Sequence, residues 1–102
     1  MTDDFKIYTD KELQNLVDDP INLGKLKAGN TKQFTFYVYN SSVNPYEELA
    51  FSVDHKEVTV ISAPTELTEK VSKAIVLEWS PSVDVKRGLK TRLKIEGYEV
   101  IG

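Results

Sequence analysis

His55, in the tetrad Asp54-His55-Lys56-Glu57, is the chain's one histidine, and there is no cysteine to join it. A metal centre or a general base needs convergent partners, and here only carboxylates could supply them. A Ser-His-Asp triad would have to use the same imidazole, and no Gly-x-Ser-x-Gly turn presents a serine. His55 therefore reads as a solvated turn residue. Carboxylates stand side by side at Asp18-Asp19 and Glu47-Glu48. Glycoside hydrolysis needs two acids facing each other across ~5–9.5 Å, whereas neighbours on a strand point to opposite faces. No Asp-x-Asp-x-Asp run suggests a calcium loop. Gly24 and Gly29 are separated by Lys-Leu-Lys-Ala and lack the Gly-Lys-Ser/Thr ending of a phosphate loop. These patterns imply no catalytic residue, no cofactor, no metal site and no disulfide.

Two surfaces remain. Lys86, Arg87, Lys90, Arg92 and Lys94 put five bases and no acid into nine residues. Lys90, Arg92 and Lys94 alternate as one strand face would. Lysines on such a face discourage edge-to-edge aggregation, and an acidic protein partner is the functional alternative. Nucleic-acid binding would call for a net basic domain with interleaved aromatics, but the net charge is −3. The second surface is Tyr37 with Tyr39, joined in some foldings by Tyr46. Exposed aromatics suit protein contacts or sugar stacking, unless the segment Phe5 to Val17 folds over them. Asn40-Ser41-Ser42 fits a glycosylation sequon, which matters only in a secreted eukaryotic protein.

These residues sit in short alternating runs. Lys32 to Tyr39 gives the clearest one, with Phe34, Phe36 and Val38 in a core-facing row against Gln33, Thr35, Tyr37 and Tyr39. Further strands are predicted over Phe5–Tyr8, Ile21–Leu26, Leu49–Val53, Val58–Ile61, Lys73–Trp79 and Leu89–Val100. In the last, Leu89, Thr91, Leu93 and Ile95 oppose Lys90, Arg92, Lys94 and Glu96. Gly97 marks a bulge, beyond which the apolar positions shift to Tyr98 and Val100. Between the runs lie Asp18-Asp19-Pro20, Ala28-Gly29-Asn30, the Asn40–Tyr46 loop, a polar connection over 65–72, Ser80-Pro81-Ser82 and a turn over 84–88. Asp10 is positioned to cap a short helix or turn over 10–17, the alternative being an irregular edge segment.

About seven short strands with regular turn signals indicate an all-β, immunoglobulin-like β-sandwich. At 102 residues, 40% hydrophobic and 28% charged, the chain suits one domain with one core. Residues 1–4 are expected to be a flexible terminus, and 5–19 an N-terminal extension packing on the sandwich.

Ile21, Leu23-Gly24, Leu26, Gly29, Phe34, Phe36, Val38 and Asn40 match the apolar-x-Phe-Gly-x-Val-x-x-Gly opening and following strand of certain immunoglobulin-like domains. In this respect the chain resembles domains of the abnormal-spindle and Hydin kind, which are related in shape to major sperm protein domains. Leu77-Glu78-Trp79-Ser80-Pro81 is similar to the penultimate strand of such domains, and Leu93 to Gly97 to their closing strand. Together the matches span about residues 20–97. Leu23 stands where phenylalanine is usual, and a Glu-Leu-Thr-Glu segment replaces a common Pro-Gly turn. The resemblance implies a non-catalytic scaffolding module without shared ligand residues.

The expected function is thus a non-enzymatic structural or interaction module, an assembly or decoration subunit such as a virion's. Its partner would be another protein or further copies of itself, and carbohydrate binding through the tyrosines is the alternative. Neither nucleic acid nor membrane is an expected partner. An acidic N-terminus and no apolar run of ~20 residues suggest folding in the cytoplasm, with later incorporation into a virion or other large assembly.

Overall fold

The computed structural model describes residues 4–17 and 19–101. Eight strands form in chain order: β1 (Phe5–Tyr8), β2 (Ile21–Leu26), β3 (Lys32–Asn40), β4 (Tyr46–Val53), β5 (Val58–Ser62), β6 (Ser72–Trp79), β7 (Val85–Thr91) and β8 (Leu93–Glu99). One sheet has the order β1-β3-β6-β5, entirely antiparallel. Facing it lie two ladders, β2-β7 and β4-β8, whose strands β7 and β8 are one extended chain interrupted at Arg92. The protein is all-β, and this two-layer arrangement is a single β-sandwich.

The alternation that predicts the strands also explains their burial. Phe36 and Val38 of β3 meet Ile75, Leu77 and Trp79 of β6 and Ile7 of β1 in the interior, and Ile21, Leu23, Leu49, Leu93 and Ile95 come from the other layer. Phe34 is half-buried at the margin, where its ring stacks on Phe36.

Several expectations are corrected. Of the alternatives for 10–17 the helix does not form; the segment makes a turn after Asp10, with Leu13 N–H bonding to Asp10 O (3.2 Å), and continues as an irregular edge segment. The Asp10 carboxylate does take N–H groups, from Gln14 (3.0 Å) and Asn15 (2.8 Å), but Leu13 adopts a left-handed φ of 60°, which no α-helix continues. The loop instead folds back, Val17 N–H bonding to Ile7 O (2.8 Å) and Leu16 bridging to Tyr8. The predicted turn over 84–88 is mostly strand, since β7 starts at Val85. Tyr98 and Val100 do not turn inward beyond Gly97, and Tyr98 is 68% exposed. The bulge lies on the opposite strand, where the register shifts between Glu47 and Ala50 and Glu48 has φ 53°. Gly97 is where that bulge presses: a Cβ there would come within 2.7 Å of Leu49 Cδ2 and 3.1 Å of Glu47 O.

The connection over 65–72 holds no helical turn. Leu67 bridges to Tyr46 through paired backbone bonds (2.9 and 3.0 Å) and is wholly buried. Residues 1–3 of the expected flexible terminus lie outside the described residues. Asp4 is tied down, its carbonyl accepting from Ser41 N–H (2.7 Å) and its carboxylate from the Tyr46 hydroxyl.

Candidate interaction surface

The outer face of the four-stranded sheet is built by cross-strand register. Antiparallel partners share a face, and Tyr8 opposes Tyr37, which opposes Ala74. Leu16, bridged to Tyr8 from beyond the sheet edge, extends that row and is 59% exposed. The next row is Lys6, Tyr39 and Ser72. The N-terminal segment therefore widens the tyrosine face as an edge strand in the same plane and does not cover it. Tyr8, Tyr37 and Tyr39 are each half-buried, packed side by side with their outer parts open. Val76 and Thr35 continue the face, and Gln33 closes it with a 3.0 Å hydrogen bond donated to Glu78. Tyr8 and Leu16 are the members that sequence reading missed: Tyr8 reaches Tyr37 through the β1–β3 register, and the loop after Asp10 folds Leu16 back against Tyr8. Tyr46 is not part of this face: it is buried, its ring against Phe5 at 4.7 Å. Its hydroxyl proton is held by the Asp4 carboxylate, which with burial and nearby Glu99 pushes the Tyr46 pKa above the ordinary phenol value.

The basic residues lie on the other layer, all exposed. They do not form one free stripe. Arg92 faces Asp19 at 3.9 Å and Lys94 pairs with Glu96 at 3.0 Å, while Lys86 and Arg87 lie at the start of β7, near Lys25 and Lys27, and Lys90 at its other end opposite Asn22. At Arg92 the strand break is mended by a side chain. Asp54 Oδ1 accepts the Arg92 N–H and the Thr91 hydroxyl, both at 2.8 Å, and these two bonds, backbone first, hold the Asp54 carboxyl below its usual range. Asp54 thus has a structural role beside His55. His55 Nδ1 accepts the Glu57 N–H at 3.1 Å, so the imidazole closes a turn. Among the described residues no three His, Cys, Asp or Glu side chains gather as a metal site.

Three of the surface grooves among the described residues bear on binding. The largest, about 570 Å³, opens at the β4 bulge among Phe5, Glu48, Ala50, Ile95, Glu96 and Tyr98. A second, about 460 Å³, lies at the far end of β2 and β7 among Lys25, Leu26, Lys27, Asp84, Val85 and Lys86. A shallower one of about 350 Å³ surrounds Arg92. The arrangement offers flat and shallow surfaces able to bind. Among the described residues no helix is long and apolar enough to cross a membrane.

No family model, no curated protein and no solved structure matches this chain.

Proposed function

We propose that the protein is a non-enzymatic interaction module that docks on a protein assembly through the outer face of its four-stranded sheet. The observation that carries this reading is the row Leu16–Tyr8–Tyr37–Ala74, with Tyr39 beside it, on an otherwise small-residue and polar face. Tyrosine gives broad contact area at low entropic cost, and a flat apolar centre with a polar margin is the anatomy of a protein interface. The face is close to neutral, with Lys6 and Glu78 at its corners, so the partner it fits is a flat, mixed-polarity protein surface and not a polyanion. A decoration or structural subunit of a large particle, such as a virion, uses a small rigid sandwich in this way. An immunoglobulin-like domain of the abnormal-spindle and Hydin kind fits the same reading: the residues that carry that resemblance fall on β2, β3, β6 and β8, apart from Gly29, Ser80 and Pro81 in the connections.

Co-sedimentation with particles from the source in a density gradient tests the proposal. The expected result is a fixed stoichiometry on the particle, lost in Tyr8→Ser/Tyr37→Ser with the fold intact by circular dichroism. Protein that stays at the top of the gradient overturns it. Saturable glycan-array binding abolished by Tyr37→Ala/Tyr39→Ala would instead establish the carbohydrate reading, favoured by the same adjacent tyrosines.

A further inference from the structure

The two larger grooves lie at opposite ends of the molecule and carry opposite charge. Val85 to Glu99 reaches at most about 46 Å at ~3.3 Å per residue, shortened by the left-handed Gly88 (φ 80°) and the break at Arg92, against a longest molecular extent of 49 Å. The β2–β7 groove at its start is rimmed by Lys25, Lys27 and Lys86 over a floor of Leu26 and Val85. Its single acid, Asp84, is engaged with the Ala28 N–H at 2.8 Å. The groove at the other end carries Glu48 and Glu96 beside Tyr98, the most exposed aromatic ring of the protein at 68%. Lys94 faces Glu96 from within the same copy, and Glu48 has no cation within ion-pair distance among the described residues.

We propose that a second copy of this chain is the ligand of these grooves, docking head to tail. The acidic end of one copy meets the basic end of the next, Glu48 and Glu96 facing Lys25, Lys27 and Lys86, with Tyr98 over the Leu26–Val85 floor. Two like ends would repel, so charge excludes the two-fold alternatives basic-on-basic and acidic-on-acidic. A heterologous contact between opposite ends leaves one end of each kind free and propagates into an open string. The end face is small, in a cross-section of 26 × 18 Å, below the ~800 Å² per partner of stable complexes. The association is therefore weak, reversible and salt-sensitive. These residues are distinct from the tyrosine face, so the inference neither needs nor consumes that surface.

Sedimentation velocity at rising protein concentration and low ionic strength provides the test. The expected result is a concentration-dependent series of dimers and longer strings that collapses to monomer at about 0.5 M salt, where the Debye length is only a few ångströms. Lys25→Gln/Lys86→Gln and Glu48→Gln/Glu96→Gln should each weaken self-association roughly tenfold or more. Mixed one to one, they should form a dimer and stop, because each supplies the end that the other lacks. Tyr37→Ser/Tyr39→Ser should assemble like the parent chain. A monomer at every concentration, salt-insensitive assembly, or a mixture behaving like either variant alone overturns the proposal. Loss of assembly in the tyrosine variant also overturns it, and would move self-contact to the sheet face.

Discussion

The two layers of the sandwich solve the same packing problem by different means. The β1-β3-β6-β5 sheet keeps unbroken register along β3 and β6 from Lys32–Trp79 to Tyr39–Ser72. It shifts only at its β5 edge, between Val60 and Ser62, whereas the opposing layer is two ladders, β2-β7 with two register shifts and β4-β8 with one, joined across a strand break at Arg92. Its irregular points hold their own compensations: Gly24 at φ 83° with Asn22 Oδ1 accepting its N–H (2.9 Å), Gly97 against the Glu48 bulge, and Asp54 at the break. The difference teaches a division of labour. The regular sheet holds most of the fully buried side chains and presents one flat outer face, whereas the irregular layer is where grooves open and charges gather.

The largest effects should come from the regular sheet. Trp79→Ala removes a wholly buried side chain from β6 and should cost about 3–5 kcal/mol in chemical denaturation. Trp79→Phe should cost far less, because the indole N–H it deletes has no hydrogen-bond partner among the described residues and an unsatisfied buried donor is itself unfavourable. A Phe variant as damaging as Ala would show that the indole N–H is satisfied after all. Next comes Asn40, buried at the end of β3. Its side-chain N–H groups reach Asn44 O (2.9 Å), Leu67 O (3.1 Å) and Thr68 O (3.3 Å), and its Oδ1 takes Ser42 N–H and hydroxyl. Asn40→Ala should destabilise by about 2–3 kcal/mol.

The same contrast explains what could be read from the sequence. Where a strand is regular, period-2 alternation suffices, so Phe36, Val38, Ile75, Leu77 and the Leu93–Ile95 run were legible as core and Lys90, Arg92 and Lys94 as surface. Leu67 was not legible, because one apolar residue in a polar run carries no period and is buried only through its pairing with Tyr46. Asn40 was visible as a strand end, but its five-bond role depends on two loops meeting around it. Tyr37 and Tyr39 were found from alternation alone. Their neighbours Tyr8 and Leu16 depend on register between segments far apart in the chain, and the pairing of grooves at opposite ends depends on three-dimensional charge placement.

A smaller effect belongs to the irregular layer. At Gly97 an added Cβ meets a flexible Leu49 methyl at 2.7 Å but also the Glu47 carbonyl at 3.1 Å. The methyl can move and the backbone resists, so Gly97→Ala should cost about 1–3 kcal/mol in melting or denaturation. An unchanged stability would mean that the β4 bulge can relax, and the layer would then be softer than its register suggests.

The smallest effect is a pH dependence seated at the Arg92 break. Asp54 accepts the Arg92 N–H and the Thr91 hydroxyl, and these bonds to its charged form lower its folded pKa. Its contribution to stability is therefore complete above the unfolded carboxyl value of about 3.9 and is lost as pH falls through the lower folded pKa. Glu57, held down chiefly by its hydrogen bond from Ser82, and Asp10, whose desolvation is outweighed by N–H bonds from Asn15 and Gln14, shift in the same direction, so the acid loss is shared among the three. Asp54→Asn keeps an acceptor at Oδ1 but no charge, and should lower the melting temperature slightly at neutral pH while flattening its decline below about pH 4. If the decline is as steep in the variant, the break at Arg92 is held by packing of Thr91 and Leu93, and the irregular layer resembles the regular sheet more closely than its hydrogen bonds indicate.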